Sequence, residues 1–219
     1  MIDKLTTRPD WLKARQRGIG GSDAGAVLGV NKYKSNVELW EEKTGRTTLE
    51  DISGKPAVIF GKTAEPLIRD LFRLDHPEFK VDYHEFWIYR NPGAPYIFAT
   101  LDGELTAEDG RRGILEIKTC TIQHGRKQWE EWEDGVPQSY YVQLLHQLLA
   151  TGWDFALLRA YIRYYRDGAF RASVREYMIE RGEVEEDLIL LSEQERAFWH
   201  DVESNTMPAL ILPDIGGKI

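Results

Sequence analysis

Residues 113–119 read Gly113-Ile114-Leu115-Glu116-Ile117-Lys118-Thr119, and their apolar side chains predict a short β-strand. Because side chains alternate between the two faces of a strand, Glu116 and Lys118 project from the same face. A carboxylate and an ammonium on an otherwise apolar strand cost free energy unless they are paired or functional. Asp102 follows an earlier apolar run, Tyr96-Ile97-Phe98-Ala99. We therefore expect two carboxylates and a lysine to meet at the ends of adjacent strands.

This combination of side chains suits phosphodiester hydrolysis with a divalent metal ion. Carboxylate oxygens are hard ligands for Mg²⁺ or Mn²⁺, and a lysine can sit beside the attacking water. The alternative is structural: Asp102 lies in a Leu-Asp-Gly turn, and Glu116 and Lys118 form an ordinary ion pair. The spacing alone leaves both interpretations open.

Length and composition favour one compact domain over residues 1–219. The chain has 219 residues, of which 42% are hydrophobic, enough for a sizeable core. Alternating strand and helix signals indicate an α/β or α+β class. The single cysteine, Cys120, cannot form an intrachain disulfide, and we interpret it as a buried structural thiol. No secretory signal and no apolar run of ~18 residues is evident, so we expect a soluble cytoplasmic protein.

The chain is acidic, with a net charge of -8 at pH 7 and a pI of about 5.2. Phosphate binding needs Lys and Arg, so this balance at first argues against a nucleic-acid partner. A DNA site needs only a local basic channel, however, and a nuclease also needs acidic metal ligands. The net charge therefore does not exclude a nuclease.

Helices are predicted from apolar periodicity and capping residues. One begins near Lys62 and ends near Leu74; it contains Pro66, which is tolerated in a first turn, so Glu65 is expected near its N-terminal end. The other helices are predicted over residues 24–28, 35–44, 138–151 and 183–204.

Strands are predicted over residues 81–90, 95–102 and 113–119, and a hairpin over 157–179. The hairpin turns at Asp167-Gly168, a strong turn dipeptide. One face of its first strand is either DNA-facing or simply solvated, and it carries Arg159, Tyr161, Arg163 and Tyr165. Trp129 and Trp132 fall in a charged segment that we expect to be mobile.

A glycine-rich segment, residues 18–25, follows Arg15. It lacks the third glycine of the dinucleotide motif, and Gly61-Lys62-Thr63 lacks the earlier glycine of a P-loop, which argues against a nucleotide-binding enzyme. Ser22 or Asp23 is a natural N-cap for the following helix, whose amides could bind one terminal phosphate together with Arg15 and Ser22. The alternative is a plain helix cap beside a surface arginine.

A later helix carries polar residues on one face. Gln143 and Gln147 are spaced i,i+4, and Tyr140 lies one turn earlier on that face. These side chains either line a site or form a solvated face. Glu65 is either a third acidic group near a metal or an ordinary carboxylate in a first helical turn. His146 lies beside the Gln face, and the histidines show no ligand spacing, so zinc is not supported.

The order of the motifs is more specific than any one of them. Along the chain follow Trp11-x-x-x-Arg15 with residues 18–23, Gly61-Lys62-x-x-Glu65, Asp102-Gly103, Leu115-Glu116-Ile117-Lys118, and Tyr140-Tyr141-Val142-Gln143 with Thr151-Gly152. Over roughly residues 9–165 this order resembles the lambda-exonuclease and YqaJ-type viral recombinase family, within the PD-(D/E)XK nuclease superfamily. The resemblance implies a PD-(D/E)XK core: a central mixed β-sheet flanked by helices.

The resemblance also implies roles for the metal-site residues. Asp102, Glu116 and the Ile117 backbone carbonyl would hold Mg²⁺, with Mn²⁺ as a substitute, and Glu65 would assist. Lys118 would position or deprotonate the attacking water. A supporting role falls to Gln143. The family helix often carries a second glutamine two residues after the first, where this chain has Leu145.

For DNA, the resemblance implies that Arg15 and Ser22 take the 5′-terminal phosphate. The expected activity is a Mg²⁺-dependent 5′-to-3′ exonuclease that degrades linear duplex DNA and exposes a 3′ single strand for phage-type recombination. A ring-shaped homotrimer and a single-strand annealing partner of the RecT or Bet type are implied, in the cytoplasm of a bacterial host, from a phage or prophage gene. The alternatives are a structure-selective endonuclease of the same core, acting in repair or restriction, and a non-catalytic DNA-binding module.

Overall fold

The computed structural model describes residues 1–47, 52–122, 126–133 and 135–211. Seven helices and eight strands lie in this part of the chain. In chain order they are β1 (Ile2–Lys4), α1 (Arg8–Arg15), α2 (Gly21–Val27), α3 (Asn36–Lys43), α4 (Pro56–Asp75), β2 (Phe79–Asp82), β3 (Trp87–Arg90), β4 (Phe98–Ala99), β5 (Gly103–Ala107), β6 (Arg112–Ile122), α5 (Arg126–Glu133), α6 (Gln138–Thr151), β7 (Phe155–Arg166), β8 (Ala169–Glu180) and α7 (Glu185–Glu203).

The main sheet has five strands in the order β2-β5-β6-β7-β8. All neighbouring pairs are antiparallel except β6 and β7, which are parallel and are connected through α5 and α6. A second sheet has the order β1-β3-β4. This mixed sheet with flanking helices confirms the fold class that the sequence predicts.

The alternation of side chains along β6 builds a core on each face of the main sheet. Leu115 and Ile117 pack on one face with Ile68 and Phe72 of α4. The other face packs against α6, where Ile114 of β6 is buried. Burying a side chain of this size contributes about 1.5–3 kcal/mol. Glu116 and Lys118 share the α6 face with Ile114, which is why the helix that covers this core can also reach them.

Two helices differ from the sequence prediction. α2 begins at Gly21 with Gly20 as its N-cap, so the prediction of Ser22 or Asp23 as N-cap is wrong; the Asp23 carboxylate instead accepts a hydrogen bond from the Gly20 N–H at 3.0 Å. α4 begins at Pro56, so Pro66 lies inside the helix and not in its first turn. The proline leaves the Lys62 carbonyl without an N–H donor in the helix, and because Lys62 and Pro66 are both exposed, water can take that place.

Two predicted strands also differ from the structure. The run over residues 81–90 is split into β2 and β3, which belong to different sheets, because Phe86 has a φ of 65°. Only Phe98–Ala99 of the predicted strand 95–102 is extended in a ladder. Asp102 therefore immediately precedes β5 and does not end a long strand. The predicted strand 113–119 is correct but lies within the 11-residue β6.

Two predictions about surfaces differ from the structure in part. The charged segment with Trp129 and Trp132 forms α5, and Trp132 is buried against Tyr177. At the far end of the β7 face that carries the predicted Arg and Tyr side chains, Tyr165 is 60% exposed, which fits a solvated or DNA-facing surface. The start of the face is closed, because Arg159 is 5% exposed and pairs with Glu176 at 2.6 Å. It also pairs with Asp75 of α4.

The C-terminal predictions are correct. Helix α6 has the predicted bounds, and α7 lies within the predicted range. The β7–β8 hairpin turns at Asp167 and Gly168, whose φ angles of 52° and 76° fit a type I′ turn. Across the described ranges, no helix combines the length and the apolar character that a membrane span requires.

Candidate active site

The residues singled out in the sequence line one cavity of about 350 Å³. β6, α4, α6 and the α1–α2 region all contribute to its lining. Its lining includes Arg15, Ser22, Glu65, Thr100, Asp102, Glu116, Ile117, Lys118, Gln143 and Gln147. Residues that are up to 132 positions apart, 15 to 147, thus meet at one place.

Glu116 is the most constrained carboxylate of the cavity and is 3% exposed. Its Oε1 accepts hydrogen bonds from Gln143 Nε2 at 2.6 Å and from Lys118 Nζ at 2.6 Å. Gln147 Nε2 donates to Oε2 at 2.6 Å. The glutamine face of α6 therefore lines the site and is not a solvated face.

Gln147 is a site residue that the sequence analysis noted without assigning a role. Two positions after Gln143, where the family helix often carries a second glutamine, this chain has Leu145, which is buried in the core. The i,i+4 spacing places Gln147 on the same helix face as Gln143, and this spacing is the sequence signal that identifies Gln147 as a site residue.

Asp102 is held beside β6 by a backbone hydrogen bond. The pairing of β5 with β6 ends at Gly103 and Leu115, so the next backbone N–H on that edge, from Ile117, donates to Asp102 Oδ2 at 2.8 Å. Burial raises the pKa of Asp102 well above its usual value, and the negative charges of Glu116 and Glu65 raise it further. The Ile117 N–H and Lys118 oppose this change.

Glu65 completes a group of three mutually repelling carboxylates. Burial raises its pKa, and the Glu116 charge adds to the rise. Its Oε1 accepts a hydrogen bond from Arg69 Nη2 at 2.8 Å, which opposes the rise. The Arg69 guanidinium in turn stacks 3.6 Å from the centre of the Tyr83 ring. Glu65 therefore lies in the interior of α4, one turn from a buried arginine.

The Lys118 ammonium faces carboxylates on one side and a ring on the other. Burial lowers the pKa of Lys118, but the charges of Glu116 and Asp102 outweigh this effect and raise it overall. The Tyr140 ring centre lies 5.2 Å from Nζ. The two carboxylates and the ring therefore favour the charged form of the amine.

Arg15 of α1 and Ser22 of α2 both line the cavity. The Arg15 guanidinium stacks 4.4 Å from the centre of the Trp11 ring and donates to Thr100 Oγ1 at 3.3 Å. Burial lowers the pKa of Arg15, while Asp23 opposes the change. The Gly20 amide at the start of this helix donates to Asp23 and is not free to bind a phosphate.

The donor atoms of the cavity suit a hard divalent cation. Carboxylates converge on it, and the pKa values of Asp102 and Glu65 are raised first by burial and then by the Glu116 charge, an unfavourable environment for carboxylates that a cation would relieve. Within the described ranges, no three His, Cys, Asp or Glu side chains are already grouped as metal ligands. None of the described lining residues is His or Cys, which fits Mg²⁺ or Mn²⁺ better than zinc.

A buried pair behind the cavity was not predicted. His146 Nδ1 lies 2.5 Å from Glu195 Oε1 of α7, and Nε2 lies 2.8 Å from the Phe98 carbonyl oxygen. Because a carbonyl only accepts, Nε2 carries a hydrogen, and the carboxyl group beside Nδ1 favours a second proton there. Burial lowers the pKa of His146, but Glu195 and the Phe98 carbonyl more than offset this and raise it.

This architecture is shared with solved exonucleases. The alkaline exonuclease from Laribacter hongkongensis superposes with a TM-score of 0.62 at 19% identity, over 90% of this chain and 94% of that chain. A phage-related exonuclease from Haemophilus somnus 129PT superposes with a TM-score of 0.54 at 12% identity, over 86% of this chain and 96% of that one. At these identities the similarity shows the fold, which is the PD-(D/E)XK nuclease type.

Sequence similarity then defines the family. Residues 10–154 match the YqaJ-like viral recombinase domain, and the chain belongs to that family. The uncharacterized protein YqaJ of Bacillus subtilis (strain 168) is 34% identical over 206 residues, which cover 93% of this chain and 59% of that protein. The chain thus spans about three fifths of the length of this relative. The matched segment contains every residue assigned to the site.

Proposed function

We propose that this chain is a Mg²⁺-dependent deoxyribonuclease, a single nuclease domain that degrades linear duplex DNA from its 5′ ends. The observation that carries the proposal is the cavity in which Asp102, Glu116 and Lys118 meet, and which Arg15 and Ser22 also line. Its membership in a viral recombinase family and its exonuclease fold support the same reaction class. The expected product is a duplex with an exposed 3′ single strand.

Asp102, Glu116 and the Ile117 carbonyl would hold Mg²⁺, with Glu65 assisting and Mn²⁺ as a substitute. When bound, the ion supplies activation of the attacking water and neutralisation of charge on the phosphate. Gln143 and Gln147 fix the rotamer of Glu116, because each donates to one of its two oxygens at 2.6 Å. This leaves the carboxylate little freedom to turn away from the cavity.

Lys118 would act on the water and on the phosphate as a cation. Glu116 and Asp102 raise its pKa, which favours charge stabilisation over proton abstraction. Its amine lies 2.6 Å from Glu116 and borders the same cavity as Asp102, so it can donate to a group held between the two carboxylates.

Arg15 and Ser22 would bind the 5′-terminal phosphate and so give the enzyme its polarity. Replacing Arg15 with alanine is expected to reduce the preference for 5′-phosphorylated over 5′-hydroxyl ends by about 10- to 100-fold, the effect of removing charge-assisted hydrogen bonds. Initial rates on the two ends measure this ratio.

The matched control is Arg17→Ala, which removes an exposed arginine two positions away. The ratio should be unchanged in that variant. Equal losses on both kinds of end in Arg15→Ala would contradict the phosphate assignment.

The family implies further partners, which we include in the proposal. A homotrimer would enclose duplex DNA, and a single-strand annealing protein of the RecT or Bet type would receive the exposed strand, in the cytoplasm of a bacterial host that carries the phage or prophage gene. The support is the family's description as a viral recombinase domain.

The deciding experiment is digestion of a linear duplex labelled separately at each end, with Mg²⁺, beside a covalently closed circle. Early release of the 5′ label with the circle intact is the expected result. Cleavage of the circle would replace the proposal with a structure-selective endonuclease. Binding of DNA without any cleavage, over a range of Mg²⁺ and Mn²⁺ concentrations, would instead indicate a non-catalytic module.

A further inference from the structure

We propose that a second groove, beside the catalytic cavity, binds the base of the 5′-terminal nucleotide. This aromatic groove has a volume of about 710 Å³ and is lined by Arg8, Trp11, Lys62, Arg69, Tyr83 and Phe86, among others. It runs between α1, α4 and the connection from β2 to β3. The inference rests on the proposed function, because it identifies where part of that substrate lies.

The groove and the catalytic cavity share a wall. Arg15, Thr100 and Asp102 line both spaces. Arg15 would hold the terminal phosphate, and Asp102 lies where the scissile phosphate must be. A single nucleotide joins these two phosphates. Its sugar therefore passes Thr100, and its base is directed into one of the spaces beside this wall.

The groove presents rings that are held in place by other groups. Trp11 and Phe86 meet edge to face, with centroids 6.2 Å apart. Phe86 has a φ of 65°, a conformation that costs a bulky residue free energy and is concentrated at functional sites. Tyr83 is 41% exposed, and its ring is backed by the Arg69 guanidinium. Bases stack on such rings without sequence preference.

The charge of the groove suits a nucleotide in an otherwise acidic chain. Four cations line it, Arg8, Arg15, Lys62 and Arg69, while its anions are Glu65, Glu85 and Asp102. Two of those anions belong to the proposed metal site. Arg69 is 5% exposed; its Nη2 pairs with Glu65 at 2.8 Å, and its Nε has no hydrogen-bond partner.

The cavity on the opposite side fits a base less well. It has a volume of about 510 Å³ and includes Ser22, Lys118, Tyr33, Trp132 and Tyr140. Trp132 is buried and packs against Tyr140, so these two rings already cover each other. The Lys32 amine there is paired with Glu131 at 3.1 Å. Tyr33 is 96% exposed and stands at the edge of this cavity.

The test uses a 5′-phosphorylated duplex with 2-aminopurine as its first nucleotide, whose fluorescence is quenched by stacking. Bound to the Lys118→Ala protein, which should leave the duplex intact, the probe is expected to be quenched. Adding Tyr83→Leu should restore most of the fluorescence, and Tyr83→Phe should not. The matched control Tyr33→Leu removes the tyrosine of the opposite cavity and should leave the quenching unchanged.

A second measurement needs no variant in the groove. In the unaltered protein with Mg²⁺, deoxyadenosine 5′-monophosphate should inhibit digestion at least about fivefold more strongly than deoxyribose 5-phosphate, because only the former carries a base to stack. Tyr83→Leu should remove this difference. Restored fluorescence in Tyr33→Leu, or equal inhibition by the two compounds, would overturn the assignment.

These outcomes separate the inference from the proposed function. If the unaltered protein does not cleave the phosphorylated duplex, the proposed function is wrong. If it cleaves with a preference for 5′-phosphate but neither the probe nor the inhibition depends on Tyr83, only the base site is wrong.

Discussion

The Lys118→Ala variant is expected to lose about 10²- to 10⁴-fold in turnover while it still binds duplex DNA. This range is typical when a group that transfers a proton or stabilises charge in the transition state is removed. Glu116 keeps its hydrogen bonds from Gln143 and Gln147 at 2.6 Å, so its carboxylate is not left without donors and the fold should persist. Single-turnover rates and a binding titration measure the two effects separately.

Two variants sharpen this result. Lys118→Arg keeps a positive charge but cannot lose a proton near neutral pH. Partial recovery in that variant would support charge stabilisation, and no recovery would support a lysine base. Lys80→Ala removes an exposed lysine of β2 and should leave turnover unchanged. Turnover within twofold of the unaltered protein in Lys118→Ala would reject the assignment of Lys118.

The His146→Leu variant is expected to lose about 3–5 kcal/mol of unfolding free energy, the cost of leaving a buried charge without its partner. Glu195 is fully buried, and its Oε2 has no hydrogen-bond partner even with His146 present. The substitution also removes the donor to the Phe98 carbonyl. Denaturant unfolding measures the change.

The double variant His146→Leu/Glu195→Leu is the control, because it removes both charges. Its stability should be higher than that of His146→Leu, since a buried ion pair often exchanges for apolar residues at little net cost. If the single and double variants are equally unstable, the loss comes from packing and not from the uncompensated carboxylate.

The same pair should make stability depend on pH. The pKa of His146 is raised in the folded state above 6.5, its usual value. A raised pKa contributes stability that is fully present below 6.5 and is lost as the pH rises through the raised value. The difference in unfolding free energy between the unaltered protein and the double variant should therefore be greatest in mildly acidic buffer and decline toward alkaline pH. A difference that does not change with pH would show that the pair does not exchange a proton on unfolding.

The sequence predicts the parts of the fold that depend on local signals. The Asp167-Gly168 turn and the apolar stripe of α6 are read directly from neighbouring residues, and the structure confirms both. The start of α4 could not be predicted in this way. A proline such as Pro66 is tolerated inside a helix where water reaches the carbonyl four residues earlier, and the sequence does not show whether it does. The break between β2 and β3 depends on the positive φ of Phe86, and a phenylalanine at that position does not predict a positive φ.

In the candidate site, too, the residues with a local sequence signal were predictable and those brought together by packing were not. Asp102, Glu116 and Lys118 are recognisable because charged groups on apolar segments are rare. Gln147 is four residues after Gln143, not two as is often found in the family. It contacts Glu116 only because α6 packs on β6. His146 and Glu195 are 49 positions apart, and only the docking of α7 on α6 brings them together.

The separation of the site residues along the chain also bears on how the molecule folds. Arg15 contacts Thr100 across 85 residues, and Gln147 contacts Glu116 across 31. Such distant contacts are formed only after long loops have closed, which slows folding relative to a helical bundle. During synthesis from the N-terminus, β6 emerges with its carboxylates before α6 exists to supply the glutamines. The cavity is therefore expected to assemble late, and the nascent chain passes through a stage in which Glu116 and Asp102 are exposed to water and have no fixed geometry.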